Sequence, residues 1–423
     1  MKLFYPCGRR LLVMAPLVLL FNISADCYDT LDPNGNITVT FDIDKWTDDG
    51  YMARVTLHNY YLYRHVESPG WKLGWAWGRG EVIWSMAGAL ATQQGNCSRF
   101  PSRVPYSCKR SPVVVDLPLD APSENRSAGC CRGGILAASA IDPTRSLTSF
   151  ELVVGNLGKD PKTGVPVARP PGNLTLMAPG PGYTCGPLED ESPTVIPVAG
   201  GQREEQVFRT WKSSCTYSLF QARGEPPCCV SLSTFYNPDV TPCPSCSCGC
   251  EDQGSATSLC TRWEAPTAPG NATTSVWCTD HMCPVQVHWH IKNNYRDHWR
   301  VKLTVSNYNY VAKYSDWNVV VQHPGFRQPT KAGGFNTTKL PAVAGYNMGE
   351  VALFWGMEGH NTELLKAGEE EPGSVTTDIL IGKDEAFTLR NGWAFPRKAY
   401  FNGDSCEMPM PDSFPGLPPR ARG

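Results

Sequence analysis

The cysteines, histidines, carboxylates and indoles set the chemistry open to this chain. Cys243, Cys246, Cys248 and Cys250 follow a C-x2-C-x-C-x-C spacing, which suits zinc in a reducing compartment and disulfides in an oxidising one. His288 and His290 stand two apart, so a strand turns both imidazoles to one side and Trp289 to the core. A metal there would need His281 or His298 as a third ligand. Asp42, Asp44, Asp48 and Asp49 crowd one short stretch, and glycoside hydrolysis needs two carboxylates flanking a cleft. Trp46, inside the charged turn Asp44-Lys-Trp-Thr-Asp-Asp-Gly50, offers a flat apolar face of the kind that stacks on the C–H face of a pyranose.

The compartment decides several of these. Lys2, Arg9 and Arg10 precede an apolar stretch from Leu11 to Ile23 that is short for a membrane span, and small residues follow at Ser24, Ala25 and Cys27. Residues 1–27 therefore read as a signal peptide. The chain has 18 cysteines, and cleavage after Cys27 leaves an even number. Asn-x-Ser/Thr acceptors follow at Asn36, Asn96, Asn125, Asn173, Asn271 and Asn336, so the sequence predicts an exported glycoprotein. In that setting the Cys243–Cys250 cluster is expected to form disulfides, and the paired histidines to be solvated; neither metal nor cofactor is implied. The vicinal pairs Cys130–Cys131 and Cys228–Cys229 are expected to bridge outward to different partners, because adjacent residues are awkwardly placed for a bond of normal geometry. The formal charge of −2 gives no electrostatic reason to expect nucleic acid or anionic lipid as partner. The clustered aspartates match turn and strand-end charges, and no Ser/His/Asp order or metal-hydrolase motif accompanies them, so no catalytic residue is assigned.

The elements that must position these groups are strands. Aromatics at 10%, charged residues at 18%, 39 Gly and 37 Pro favour loop-rich β domains. Residues Ile37 to Tyr60 repeat at Val285 to Tyr308, 248 positions on and without a gap: Phe41 falls on Trp289, Ile43 on Ile291, Tyr51 on Trp299 and Asn59 on Asn307. Each block is a period-two strand, a polar turn and a second alternating strand. Looser matches follow, pairing Trp84 with Trp355 and Phe150–Gly155 with Phe387–Gly392, and ending at Cys185 and Cys406. The expected fold is all-β, two repeated β-sandwiches joined by a cysteine-rich, disulfide-stapled segment. The boundaries read 28–187 for the first sandwich, 188–280 for linker and cysteine-rich segment, 281–410 for the second sandwich and 411–423 for a Pro-rich tail. Trp71, Leu73, Trp75 and Trp77 share one strand face and are expected to be core. Trp46 is the exposed candidate.

With those residues in view, the chain resembles the COBRA family of plant proteins. The likeness runs from Tyr28-Asp-Thr-Leu-Asp-Pro-Asn-Gly-Asn-Ile37 through Pro69-Gly-Trp-Lys-Leu-Gly-Trp75, Glu81-Val-Ile-Trp-Ser-Met86 and Leu176-Met-Ala-Pro-Gly-Pro-Gly-Tyr-Thr-Cys185. It continues through Cys228-Cys-Val-Ser231, the family signature, to His281-Met-Cys-Pro284, Gly392-Trp-Ala-Phe-Pro396 and Tyr400-Phe-Asn-Gly-Asp404. This resemblance implies a role in depositing or ordering cellulose microfibrils. The first half is also similar to family-2 cellulose-binding modules, whose motifs place surface binders at Trp46 and Trp84 and a buried indole at Trp71. The second half carries Asn294 where the first has Trp46, which implies a weaker binder. COBRA proteins usually end in a tail that directs a GPI anchor. This sequence stops at Pro418-Pro-Arg-Ala-Arg-Gly423, which reads as a form released to the wall, with membrane association confined to any GPI-anchored form.

The expected function is that of a non-catalytic, secreted cell-wall glycoprotein gripping cellulose or a related wall glucan through Trp46 and Trp84, helped by Tyr51. The alternatives are an extracellular adhesion or receptor protein that binds protein partners, and a glycan-active enzyme.

Overall fold

Alternation along the repeated block becomes burial in a computed structural model. It describes residues 29–415 except 161, 165, 199–202, 223–226, 245–284, 309–312, 343–348, 368–372 and 384–393. The signal peptide, the Pro-rich tail from 416 onward, Asn271, His281 and most of the cysteine-rich segment lie outside the described residues.

The first half runs β1 (Ile37–Trp46), β2 (Tyr51–Asn59), β3 (Lys72–Ala76), β4 (Val82–Ala87), β5 (Ala89–Ala91), β6 (Val113–Asp116) and β7 (Leu147–Gly155). It continues with β8 (Gly172–Met177), β9 (Tyr183–Cys185), β10 (Glu189–Glu191), β11 (Val195–Val198), β12 (Arg203–Gln206) and β13 (Arg209–Tyr217). The second half begins with β14 (Cys228–Thr234), β15 (Asn237–Thr241), β16 (Val285–Asn294), β17 (His298–Asn307), β18 (Tyr314–Ser315), β19 (Asn318–Gln322) and β20 (Lys331–Ala332). It ends with β21 (Asn336–Lys339), β22 (Val351–Trp355), β23 (Glu363–Leu364), β24 (Ser374–Gly382), β25 (Lys398–Phe401) and β26 (Asp404–Ser405).

One sheet of the first sandwich is ordered β10-β13-β1-β2-β7-β4, and the facing sheet is β5-β6-β3-β8. In the second sandwich the order is β15-β14-β16-β17-β24-β20 against β21-β22-β19-β25-β26. Ile37, Val39, Phe41 and Ile43 on β1, and Val285, Val287, Trp289 and Ile291 on β16, all point inward at 0–1% exposure. Trp71, Trp75 and Trp77 are core at 1–2% exposure, where a whole apolar strand face must go.

The repeat holds in three dimensions down to an irregularity. Ile37 pairs with Asn59 and Val285 with Asn307, and a bulge interrupts each hairpin at the same place, after Ile43 and after Ile291. Two of the looser matches need correction. Strand β4, carrying Trp84, pairs with β7 in the first sheet, whereas β22, carrying Trp355, pairs with β19 in the facing sheet. The strand that pairs with β24 as β4 does with β7 is β20. Because Tyr51 pairs with Val154 and Trp299 with Ile381, Gly155 corresponds to Gly382, not to Gly392, which lies outside the described residues. Aromatic identity misled the alignment; strand pairing corrects it.

Nor does the first sandwich stop at residue 187. Strand β13 lies beside β1 with β10 outside it, and β14 lies beside β16 with β15 outside it, so the segment between the halves supplies two strands to each. Cys215 sits opposite Ile37 and is bonded to Cys185; Cys228 sits opposite Val285 and is bonded to Cys406. Since Ile37 and Val285 are equivalent, these two disulfides are equivalent, although β13 runs antiparallel to its neighbour and β14 parallel. Cys229, facing the other side of β14, bonds to Cys243, so the Cys228–Cys229 pair does bridge outward. Cys130–Cys131 does not: the two are bonded to each other, with Cys131 at φ 80, while the Asp116 carboxylate accepts from the amides of Cys131, Arg132 and Gly134. The remaining described disulfide is Cys97–Cys108.

The two halves touch. Leu31 and Tyr63 from the first pack on Val320, Leu353 and Tyr400, the outward face of the second sandwich's β19 sheet, and Trp355 joins this contact. Asn318 Nδ2 donates to the Tyr63 carbonyl at 2.9 Å, Arg64 pairs with Asp404 at 2.9 Å and Arg145 with Asp316 at 2.8 Å. Trp355 is therefore part of the seam between halves.

Candidate functional site

The hairpin joining β1 to β2 projects from one end of the first sandwich. Thr47 N–H donates to the Gly50 carbonyl at 2.9 Å and closes a four-residue turn. Gly50 is required there: a Cβ would fall 1.8 Å from the Val154 carbonyl oxygen of β7. Trp46, the last residue of β1, opposes Tyr51 across the hairpin and is 43% exposed. Its ring meets the Tyr51 edge at 6.2 Å between centroids.

Tyr51 is closed to a ligand. It is 1% exposed, held between Trp46 and, at 5.9 Å, Trp211, and burial drives its hydroxyl pKa far up. Its role is to support the Trp46 ring from below. The sequence expectation for Tyr51 overlooked register: it continues the inward row of Ala53, Val55 and Leu57.

Trp84 reaches the same end from β4, three strands from β1, a separation of about 14 Å at ordinary strand spacing. It occupies the bulge between Ile83 and Ser85. Its Nε1 donates to the Asp49 carboxylate of the hairpin turn at 3.0 Å, which also accepts from Asn156 N–H. The pyrrole edge rests over Gly155, where a Cβ would lie 2.0 Å from Nε1. Gly155 follows the inward Val154, so its open side is the outer face of the sheet, and Trp84 approaches from that side while Trp46 prolongs the inner row. Trp84 is half-buried. Phe100 meets its edge at 5.6 Å and the Arg103 guanidinium lies over the ring at 4.7 Å. Trp46 is thus the barer of the two rings. Sequence reading missed Phe100 and Arg103; the signal was the Cys97…Cys108 spacing beside Trp84.

The clustered carboxylates do not face one another across a cleft. Asp42 is 3% exposed and accepts from Thr210 Oγ1 at 2.6 Å, Asp49 is held by Trp84, and burial raises the Asp44 pKa. A surface pocket of about 240 Å³ between Phe326 and Lys339 has no carboxylate in its lining, and one of about 190 Å³ between Thr38 and Lys212 has only Glu191.

In the second half, Asn294 is exposed and donates to the Tyr236 hydroxyl, and Thr330 precedes β20 where Trp84 sits in β4. His288 and His290 share a face with Trp289 turned inward, and the serines of β14 take up their nitrogens. Ser231 and Ser233 bond the two nitrogens of His288 at 2.5 and 2.9 Å, and Ser233 bonds His290 Nδ1 at 2.7 Å. Burial pulls the His288 pKa down to about 4. The signature Cys228-Cys-Val-Ser231 is thereby explained locally: two cysteines anchor opposite faces of β14 and the serine holds a histidine of β16. Among the described residues no three His, Cys, Asp or Glu side chains group as metal ligands, and His298 instead stacks on Tyr295.

Of the glycan acceptors, Asn96, Asn125 and Asn173 are exposed. Asn36 and Asn336 are partly buried, with their amide nitrogens donating to the Asn34 and Gly356 carbonyls at 2.9 Å each.

A tandem β-sandwich, each half laced by an equivalent disulfide and the first carrying an exposed indole on a hairpin, defines the class of this protein. The COBRA N-terminal domain model matches residues 51–218 and the COBRA family C-terminal domain model residues 227–415. COBRA-like protein 2 of Oryza sativa subsp. japonica is 46% identical over 97% of this chain and 92% of its own length. Protein COBRA of Arabidopsis thaliana is 46% identical over 93% of this chain and 87% of its own length, and COBRA-like protein 1 of Arabidopsis thaliana is 47% identical over the same shares. The chain belongs to the COBRA family.

Proposed function

We propose that this chain is a non-catalytic, secreted cell-wall glycoprotein that binds cellulose through the hairpin end of its first sandwich and takes part in microfibril deposition. COBRA membership supports a cell-wall protein in cellulose-related processes. The observation that carries the binding assignment is Trp46, an indole 43% exposed on a turn braced by Gly50 and Tyr51. A rigid, bare aromatic presents apolar area that stacks on sugar rings without an ordering cost. Trp84 contributes less, because Arg103 lies over its ring. The missing Trp46 counterpart in the second half and the place of the partly buried Trp355 in the seam support the first half as the binder.

The test is depletion of the purified protein by crystalline cellulose, amorphous cellulose and xylan, alongside Trp46→Ala and Trp84→Ala. Retention on cellulose that falls sharply in Trp46→Ala supports the reading; unchanged retention in both variants sinks it. Release of soluble sugar by the pure protein would turn the reading to catalysis.

A further inference from the structure

Beside Trp84 the sequence changes character. From Val82 to Val115 there is no Asp or Glu, while Arg99, Arg103, Lys109 and Arg110 all fall within it. The stretch is shaped by covalent and backbone bonds. Cys97–Cys108 closes the loop, Phe100 N–H donates to the Cys97 carbonyl at 2.9 Å, and Ser107 exchanges backbone bonds with Ile83 of β4 at 2.9 and 3.0 Å. The Arg110 carbonyl accepts from Trp77 N–H at 2.8 Å. The loop is therefore pinned along β4, with its tip folded onto the Trp84 ring through Phe100 and Arg103.

Arg99, Arg103 and Arg110 are exposed, and among the described residues none forms an ion pair. The nearby carboxylate of Asp49 is taken by Trp84 and Asn156. A guanidinium lying over an indole keeps its donors directed outward for a carboxylate. Cations beside aromatics match a pyranose that carries its own carboxylate: the ring face suits the aromatic and the acid suits the arginine.

We propose that the disulfide-closed loop Cys97–Cys108, with Lys109 and Arg110, is a second binding element that takes acidic, uronate-bearing wall polysaccharide next to the neutral glucan. This deepens the cellulose reading, since both elements share one end of the first sandwich, but it stands on different residues. The ligand class follows from charge: a cationic patch gains nothing from cellulose and attracts polyuronate at a range set by the Debye length.

The experiment is gel retardation of the full-length secreted protein in polygalacturonate, run beside fully methyl-esterified polymer of the same backbone and beside the cellulose depletion assay. The wild type is expected to be retarded by polygalacturonate, not by the esterified polymer, and to be released near 1 M salt, where the Debye length is about 3 Å. The triple variant Arg99→Gln, Arg103→Gln, Arg110→Gln is expected to lose roughly tenfold in apparent affinity, three exposed charge contacts together, with cellulose retention kept or, as Arg103 leaves the Trp84 ring, raised. Trp46→Ala is expected to do the reverse. Because the three arginines are exposed, an unchanged melting temperature certifies that the triple variant is folded. No retardation of the wild type, equal retardation by the esterified polymer, or capture by phosphatidylserine vesicles without polygalacturonate binding overturns the proposal. Retardation by polygalacturonate in a protein that ignores cellulose upholds the loop's role and sinks only the Trp46 assignment.

Discussion

Replacing Trp46 by alanine is the sharpest perturbation the structure offers. A Trp side chain carries on the order of 250 Å² of surface, and at 43% exposure about 100 Å² of Trp46 is wet. A glucan lying on the ring covers between half of that area and all of it. At about 25 cal/mol per Å², this stacking contributes about 1.3–2.5 kcal/mol, which is a roughly ten- to seventyfold change in partition between cellulose and solution. The fold should tolerate the change, because the ring lies at the end of the sandwich with 43% of it exposed and the hairpin is closed by the Thr47–Gly50 bond. The assay is a depletion isotherm on crystalline cellulose, with a thermal melt of the same sample. A partition coefficient unchanged within about twofold, in a variant that melts like the wild type, refutes the stacking argument.

Three further outcomes follow from the packing. Tyr51→Ala should cost about 3–5 kcal/mol of stability by emptying a site between Trp46 and Trp211, while Tyr51→Phe stays near neutral, both read by denaturant unfolding; equal effects would mean that the hydroxyl, not the ring, matters. Gly155→Ala should dislodge the Trp84 indole and break its bond to Asp49, seen as a shifted and faster-exchanging Nε1–H resonance, since the new Cβ would lie 2.0 Å from that nitrogen. At the seam, burial pushes the Glu67 pKa up to about 7, countered by the Asn402 amide, so its favourable contribution is present below pH 4.5 and lost as pH rises through about 7. Glu67→Gln should therefore match the wild type near pH 4 and exceed it by about 1–3 kcal/mol above pH 7; a stability difference that does not vary with pH argues against this.

The parts of the fold that could be read from the sequence are those that local alternation dictates. The paired blocks from Ile37 and Val285 announced two hairpins, and pairing reproduces their alignment residue by residue, including a bulge that no alternation rule foretold. The same logic placed Trp71, Trp75, Trp77 and Trp289 inside. It failed where identity replaced topology: Trp355 resembles Trp84 in its neighbours but lies in the opposite sheet, because insertions between strands differ and only hydrogen-bond partners settle equivalence. The better match, Leu152-Val-Val-Gly155 with Ile379-Leu-Ile-Gly382, lacks the aromatic that drew attention. Tyr51 stands in sequence as a helper to the Trp46 grip, yet its register with the buried row below decides its direction. The Cys130–Cys131 bond was unreadable because it depends on a left-handed residue at Cys131, set by tertiary contacts such as the Asp116 carboxylate.

The equivalent disulfides bear on mechanics. Under the proposed cellulose reading, a first half held to a growing fibre would be pulled along the chain, with the load leaving the first sandwich near Cys215 and entering the second at Cys228. Cys215 is bonded to Cys185, opposite it on the neighbouring β9, and Cys228 to Cys406 just beyond β26, so tension at either cysteine passes into a closed loop and is not borne by β13 or β14 alone. Reducing agents should lower the rupture force at this junction before they affect the rest of either sandwich.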